Sequence, residues 1–186
     1  MRLRQWVQLT GVSAFGARFF VHWTVFAAVA ALALLGLGNP LHALIAIVSY
    51  LAVIVMHELG HAFVAHRLGC GVDEIGVTML HGWCRCEAPE YEWEEVLIAW
   101  GGVAAQFLIA VPVLIVALIL GDRDWGYFTL VIVFLGYLNL VVAAINLMPG
   151  PGTDGNVAWR IVPLLKLRRR AAKAAKRTLR VIGKDD

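Results

Sequence analysis

The chain has 186 residues, of which 60% are apolar and only 16% are charged. Soluble domains average about 45–50% apolar and about 25% charged residues, so this composition argues against a soluble protein and indicates a membrane protein. Much of the net charge of +3 comes from basic residues within positions 160–186. Beside apolar segments, this stretch predicts a cytoplasmic tail on the lipid bilayer, and no nucleic-acid partner is expected.

Four apolar stretches follow one another along the chain, at residues 21–38, 41–56, 96–120 and 127–148. A spanning helix needs about 20 apolar residues, so we expect about four transmembrane helices, the second continuing to about residue 68. The fold class predicted is an all-α integral membrane protein with a single domain over residues 1–186. Its core would cover about residues 20–155, followed by a basic tail at 160–186. We expect the first stretch to be retained and not cleaved as a signal peptide.

The middle loop, at residues 69–95, is the one sizeable stretch between these segments. Its residues 75–86 mix β-branched and aromatic residues with Gly76 and Gly82. This pattern predicts a short membrane-associated strand or hairpin between the second and third helices.

The orientation follows from Lys and Arg in the short connections, because these residues favour the cytoplasmic side. The first connection carries none, and the third carries a lone Arg123 between two aspartates. Basic residues occur before the first stretch, in the middle loop and in the tail; outside the tail they are Arg2, Arg4, Arg18, Arg67 and Arg85. We therefore predict a multi-pass protein with both termini and the middle loop in the cytoplasm.

The segment His57-Glu58-Leu59-Gly60-His61 has the H-E-x-x-H pattern. On a helix, residues four apart share a face, so both imidazoles can reach one metal ion. Glu58 lies beside that face, where it can act as general base toward a metal-activated water. Ionisable groups in a membrane segment are costly and favour a functional reading, although a hydrogen-bonded cluster or a proton relay is the alternative.

A third ligand is needed, because a catalytic zinc usually takes three protein ligands and keeps one position open. The candidate is Asp154, in a stretch from Asn146 to Gly155 that contains two prolines and three glycines and cannot continue as helix. An interfacial turn with Asp154 as a helix cap is the alternative. The predicted topology brings both motifs to the cytoplasmic membrane face, which favours the metal site and puts it on that side.

Together the two motifs, H-E-x-x-H and then N-x-x-P-x-P-x-x-D-G, resemble the site-2 protease family of intramembrane zinc proteases. The resemblance runs from about residue 20 to Gly155 and suggests a compact form without a PDZ or CBS module. It implies His57, His61 and Asp154 as ligands of one catalytic Zn²⁺ and Glu58 as catalytic base. It also implies substrate-positioning roles for Asn146 and Gln106, although Gln106 stands where Asn is usual in the family and Val103 where Pro is usual.

The expected activity is hydrolysis of peptide bonds in membrane-spanning substrates, either single-span proteins or signal peptides, with a separate regulatory partner possible. A substrate helix must unwind before it is cut, and the strand edge near residues 75–86 could pair with it. A proline at Met79 is then expected to abolish cleavage while zinc stays bound. The alternative function is a non-proteolytic membrane scaffold that binds metal through the same fold.

Other candidates are weaker. A histidine-box oxygenase needs more histidines than the six present, and a secondary transporter would show internal repeats. A zinc protease with a Glu ligand from residues 87–95 remains possible. His22 is expected at the membrane interface. His81, Cys84 and Cys86 could suggest a second metal site, but reduced thiols are the preferred interpretation, since the odd cysteine count does not favour a disulfide framework.

Overall fold

The structure is a computed structural model that describes residues 5–121 and 126–182, with side chains as far as residue 173. Arg2, Arg4 and Arg123, on which the predicted orientation partly depends, lie outside the described residues. So do the two ends of the predicted single domain at residues 1–186, whose extent stays a prediction.

A four-stranded sheet lies at one end of the helices, in the order β1-β2-β3-β4. The strands are β1 (Trp6–Ala14), β2 (Ala17–His22), β3 (Val72–Val77) and β4 (Gly82–Cys86). β2 and β3 run parallel, and the other two pairs are antiparallel. The predicted strands between the second and third helices are present as β3 and β4. The first two strands were not predicted, and they extend the packed part of the chain N-terminal to residue 20.

The helices are α1 (Trp23–Leu35), α2 (Pro40–Arg67), α3 (Glu92–Leu120), α4 (Phe128–Asn146), α5 (Gly155–Ala158) and α6 (Ile161–Ile182). α2, α3 and α4 are long and apolar enough to cross a membrane. α1 has 13 residues, a length of about 20 Å against a bilayer core of about 30 Å. The predicted count of four spans is therefore not confirmed, because the first apolar stretch is shared between the end of β2, a short helix and a turn.

Local sequence signals fix the starts of the two long helices that carry the site. The Asn39 side chain accepts a hydrogen bond from the backbone N–H of His42 at 3.2 Å, and Pro40 occupies the first turn of α2. At the start of α3, the Glu94 carboxylate accepts from the backbone N–H of Tyr91 at 3.2 Å. The cap of α2 lies directly before its apolar stretch, whereas α3 begins with an acidic turn before its apolar stretch at residue 96.

α2 and α3 cross at two glycines, and this crossing positions the site. A Cβ atom on Gly60 would collide with the Gly101 carbonyl, and one on Gly101 would meet the Gly60 carbonyl at 2.6 Å. Small residues let membrane helices approach closely. The opposite side of α2 packs through Ala62 and Ala65 on the sheet residues Phe19 and Ile75.

Candidate metal centre

His57 and His61 project from one face of α2, as the spacing of four residues requires. Their Nε2 atoms lie 3.1 Å apart, and each side chain is only 8% exposed. Two imidazoles thus share one small volume inside the protein.

The outer nitrogen of each ring is held by a hydrogen bond from α3. His57 Nδ1–H donates to Gln106 Oε1 at 3.0 Å, and His61 Nδ1–H donates to the Ile98 carbonyl at 2.7 Å. With a proton on Nδ1, a neutral imidazole presents the lone pair of Nε2. Both lone pairs therefore point to the same place, which is the arrangement found around metal-ligating histidines.

Asp154 reaches the same place from the segment that follows α4. Its Oδ2 atom lies 3.0 Å from His57 Nε2 and 3.3 Å from His61 Nε2. The residue occupies the cap position of α5, yet its side chain makes no cap hydrogen bond. The predicted alternative of a simple helix cap is therefore not what this carboxylate does. Two motifs separated by about ninety residues meet at one point, as the sequence predicted.

The Asp154 segment is held by turn chemistry and by two tryptophans. The Thr153 hydroxyl donates a hydrogen bond to the Met148 carbonyl oxygen at 2.6 Å, and this bond closes the turn. Trp159 Nε1–H donates to the Leu147 carbonyl at 2.6 Å, and Trp100 Nε1–H donates to the Ala158 carbonyl at 3.0 Å. The two indole rings meet edge to face at 5.9 Å. We call Trp100 and Trp159 the tryptophan clasp.

An ion pair and a glycine complete this arrangement. Arg160 Nη1 lies 3.1 Å from Glu95 Oε2 and joins the chain after α5 to the start of α3. A Cβ atom on Gly155 would collide with the Leu147 carbonyl. Only glycine therefore lets the chain fold back tightly enough after Asp154.

A cavity of about 330 Å³ opens beside the three donor atoms. Glu58 lines it, and its side chain is 2% exposed and faces Gly82 at the start of β4. A Cβ atom on Gly82 would collide with the Glu58 carboxylate, and the Gly82 backbone hydrogen-bonds that carboxylate. The cavity is also lined by Ile54, His81, Trp83, Cys84, Ala99, Val142 and Asn146.

The donor set fits a zinc ion. The three atoms His57 Nε2, His61 Nε2 and Asp154 Oδ2 are 3.0, 3.1 and 3.3 Å apart. In a tetrahedral zinc site with bonds of about 2.0–2.1 Å, neighbouring ligand atoms are about 3.3 Å apart. Among the described residues these three form the one group of three or more such donors close enough to hold a metal ion.

The electrostatics of the cavity also favour a cation. Burial raises the pKa of the Asp154 carboxyl, but in the metal-free protein a proton on Nε2 of His57 or His61 would outweigh burial and lower that pKa well below its usual value. Asp154 is therefore a carboxylate, and Glu58 is a second acidic group in the same cavity. In the described part of the chain, no ion pair joins either one to Lys or Arg. A divalent cation would balance the charge of the Asp154 carboxylate.

Asn146 and Gln106, predicted to position substrate, lie in different places. Asn146 Nδ2 is 3.3 Å from His57 Nε2, and the residue lines the cavity. Gln106 is 0% exposed, lies behind His57 and is not among the residues described as lining the cavity. Gln106 therefore contacts a candidate metal ligand, and its role in positioning substrate stays a prediction.

The other sequence candidates have separate contacts. Glu87 accepts from the Gly71 N–H, and Glu95 pairs with Arg160, so neither belongs to the donor group. His22 accepts at the start of α1 from the Thr24 N–H. Cys84 and Cys86 are free thiols, and burial raises the pKa of Cys84 to about 12.

Two features of the site were missed by the sequence reasoning. Gly102 lies under the donor atoms, since a Cβ there would collide with His61 Nε2. The Gly101-Gly102 pair in a membrane helix was a usable signal, because small residues mark close helix approach. The tryptophan clasp gave no such signal, because tryptophans near the ends of membrane helices are common whether or not they hold a loop.

Comparisons with known proteins agree with this geometry. No protein-family model matches the sequence. A zinc metalloprotease of Methanocaldococcus jannaschii is 30% identical over 109 residues, covering 59% of this chain and 31% of that protein. Rip3 of Mycobacterium tuberculosis, whose name also describes a zinc metalloprotease, is 32% identical over 115 residues, covering 58% of this chain and 28% of that protein. The chain thus matches about a third of the length of these relatives.

The fold is shared with a solved structure of known function. It is a site-2 protease from Methanocaldococcus jannaschii, with a TM-score of 0.64 and 24% sequence identity, covering 84% of this chain and 71% of that one. The predicted resemblance to the site-2 protease family is confirmed. The relatives and the His57, His61 and Asp154 group together support Zn²⁺ as the metal.

Proposed function

We propose that this chain, which resembles zinc metalloproteases in sequence and has the fold of a site-2 protease, hydrolyses peptide bonds of membrane-embedded substrates. The observation that carries the proposal is the convergence of His57 Nε2, His61 Nε2 and Asp154 Oδ2 within 3.3 Å of one another, beside a cavity that contains Glu58. A hydrolytic metal site needs three ligands, one open position and a base, and this arrangement supplies each of them.

His57, His61 and Asp154 would hold the zinc ion beside the cavity. When bound, zinc lowers the pKa of a water molecule to about 7 and polarises a carbonyl group. Gln106 and the Ile98 carbonyl would keep both imidazoles in the tautomer that offers Nε2. Asn146, whose amide lies 3.3 Å from His57 Nε2 on the cavity side, could donate to a substrate carbonyl there.

Glu58 would move the protons of the reaction. Glu58 lines the cavity, where its carboxylate would take a proton from the attacking water and return it to the leaving amine. The Gly82 backbone, which hydrogen-bonds the carboxylate, would orient it. Because a metal scaffold has no use for this base, Glu58 separates the protease from the alternative of a non-proteolytic metal-binding protein.

The decisive experiment compares purified wild type with Glu58→Gln in liposomes that contain a panel of single-span substrates. The variant should keep one zinc per chain, measured by mass spectrometry of the metal, and should lose cleavage by at least about a hundredfold, as expected for a general base. His66→Ala, in the same helix but outside the donor group, is the matched control and should cleave normally. Wild type that binds zinc and cuts none of the panel would favour the scaffold.

We further propose that the substrate pairs with the outer edge of β4. This strand is last in the sheet order, and Gly82, Trp83 and Cys84 line the cavity. In an antiparallel pair, hydrogen-bonded and non-hydrogen-bonded residue pairs alternate. The Thr78 N–H donates to the His81 carbonyl at 2.8 Å, so in the register of β3 and β4 the backbone groups of Gly82 and Cys84 point away from β3. The outward backbone of Gly82 is already hydrogen-bonded to Glu58. We therefore propose that the substrate strand pairs with the outward backbone groups of Cys84.

Because of this alternation, a proline substitution that tests strand pairing belongs at Cys84 and not at Met79. The Met79 N–H donates to Thr24 Oγ1, and its carbonyl accepts from the Tyr50 hydroxyl, so Met79 belongs to the turn between the strands. Proline there would damage the turn and not the edge. Cys84→Pro removes the outward N–H and should abolish cleavage while zinc stays bound. Cys84→Ala keeps that N–H and should cleave normally; equal cleavage by both variants would refute the strand-addition proposal.

The substrates we propose are single-span membrane proteins or signal peptides, and a separate partner could regulate their access. We also propose that both termini and the site face the cytoplasm, because Arg67 and Arg85 lie near the end of α2 and in β4, close to the donor group. A green fluorescent protein fused to the C-terminus should then fluoresce in bacterial cells, and a periplasmic alkaline phosphatase fusion should be inactive. The reverse result would invert the orientation.

A further inference from the structure

Helix α6 (Ile161–Ile182) differs from every other long helix, because its sequence is strongly basic and contains no carboxylate. Basic residues occur throughout its length, at Lys166, Arg168, Arg169, Arg170, Lys173, Lys176, Arg177 and Arg180. The metal site uses none of these residues, so the proposed protease activity gives no reason for their presence.

Most of the described side chains of α6 fall into two stripes, and the exceptions include Val162, which lies on the basic face, and Arg168, which lies on the apolar face. Lys166, Arg169, Arg170 and Lys173 follow the spacing of one helix face, and all four are exposed. Ile161, Leu164 and Leu165 follow the same spacing on another face, and Leu165 is 47% exposed. The described part of α6 therefore presents an apolar stripe and a basic stripe, both incompletely covered by the protein.

The start of α6 is attached to the metal centre. Trp159 of the tryptophan clasp and Arg160, paired with Glu95, directly precede the helix. Asp154 lies seven residues before Ile161, and Glu95 lines the same cavity. A surface that fixes α6 is thus connected through a short, hydrogen-bonded segment to one of the three donor atoms.

We propose that α6 is an interfacial helix that binds anionic lipid headgroups and thereby steadies the Asp154 segment. A helix with an apolar stripe and a face rich in Lys and Arg is suited to lie in the membrane interface, with the apolar side chains toward the acyl chains and the cations on anionic headgroups. The charge of α6 indicates its partner, because eight Lys or Arg residues among 22, with no carboxylate between them, attract a negatively charged surface. The membrane that surrounds α2, α3 and α4 supplies that surface beside the helix.

The test uses the full-length protein in nanodiscs made either of phosphatidylcholine alone or of phosphatidylcholine with 30% phosphatidylglycerol. Amide hydrogen exchange in residues 161–173 should slow at least about tenfold in the anionic discs, and 0.5 M NaCl should remove most of that protection, because salt screens the attraction. Exchange in residues 147–158 should slow in parallel. These readouts require no proteolysis, so they can fail or succeed independently of the proposed function.

Two matched variants decide whether charge is the cause. The quadruple variant Lys166→Gln, Arg169→Gln, Arg170→Gln, Lys173→Gln should lose the lipid dependence. The charge-preserving variant Lys166→Arg, Arg169→Lys, Arg170→Lys, Lys173→Arg should keep it. Equal exchange in both kinds of disc for wild type, or lipid protection that persists in the quadruple Gln variant, would overturn the proposal. Stronger protection of residues 161–173 by a short DNA duplex than by anionic lipid would also overturn it, and would make nucleic acid the partner.

Discussion

The two halves of the metal centre are built in different ways. His57 and His61 lie on a 28-residue helix, with side chains 8% exposed and Nδ1 atoms bonded to α3. Asp154 lies in a segment of turns, with a side chain 23% exposed. Its position depends on Thr153 and on the tryptophan clasp.

This difference predicts different costs of metal binding. The two imidazoles are already ordered by the helix and by buried hydrogen bonds, so little conformational entropy is lost when a metal ion binds. The Asp154 segment has fewer constraints and would lose more freedom on binding. We therefore expect His57 and His61 to contribute most of the net zinc affinity. We expect opening of the Asp154 segment to set the rate at which metal and substrate dissociate.

The largest effect on zinc affinity is expected when one donor is removed from each half, as in His61→Ala and Asp154→Ala. Structural zinc sites gain about 10–16 kcal/mol from four ligands, so one preordered ligand is worth about 3 kcal/mol, or a factor of about a hundred in affinity. His61→Ala should lose that amount. Asp154→Ala should lose about tenfold, because part of its contribution offsets the ordering of its segment.

Zinc affinity for both variants can be measured by competition with a fluorescent chelator. His66→Ala, one turn beyond His61 in α2, is the control that keeps the helix and removes an imidazole outside the donor group. Equal losses for His61→Ala and Asp154→Ala would contradict the comparison and indicate that the Asp154 segment is as well ordered as the helix.

The part of the site on α2 could be predicted from the sequence because its geometry is local. A spacing of four residues on a helix fixes the relative position of His57 and His61 without any tertiary information. Asp154 required one more step, the topology of the spans, and the structure brings it within 3.3 Å of both imidazoles. The predicted roles of these residues and of Glu58 stay predictions that the experiments above address.

The pairing of β2 with β3 could not be predicted for a physical reason, whereas the Phe15-Gly16 turn that joins β1 to β2 was a local signal that the sequence analysis missed. β2 pairs in parallel with β3, and the register joins Phe19 to Ile75, more than fifty residues away. A parallel partner at that distance leaves no turn signal in the sequence. The apolar run from residue 21 also continues from β2 into α1 without a break, so one spanning segment was the natural interpretation. The short α1 shows that an apolar run can end a strand and begin a helix.

A substrate-positioning role was predicted for Gln106 from its position in a family motif, and that role stays a prediction; its contact with His57 depends on helix packing. The Gly60 and Gly101 crossing brings α3 so close to α2 that the amide reaches His57 Nδ1 at 3.0 Å. A position in a motif does not reveal which way an amide points. The distance between a ligand ring and its outer hydrogen-bond acceptor is a property of the packed pair of helices.

A smaller loss of zinc affinity is expected when the hydrogen-bond partner of His57 is changed at Gln106. Gln106→Leu removes the acceptor for His57 Nδ1–H and leaves the ring free to change its tautomer. Loss of such outer partners lowers metal affinity by about 10–100-fold, and we expect a value in this range. Gln106→Glu keeps an oxygen acceptor at the same reach and should restore most of the affinity. Zinc binding by the Leu variant at the wild-type level would show that helix packing alone orients the ring.

The smallest effect is expected from the tryptophan clasp. Trp159→Phe keeps an aromatic ring against Trp100 but removes the indole N–H that donates to the Leu147 carbonyl at 2.6 Å. One such hydrogen bond contributes about 0.5–1.5 kcal/mol, so opening of the Asp154 segment should become about 3–10 times more frequent. Amide hydrogen exchange should rise by that factor in residues 147–158 and stay unchanged in residues 54–62 of α2. Trp93→Phe, at an exposed position near the start of α3, should change neither region. If exchange rose equally in both segments of the Trp159 variant, the two halves of the centre would be one cooperative unit, and the distinction between a rigid and an adjustable half would be wrong.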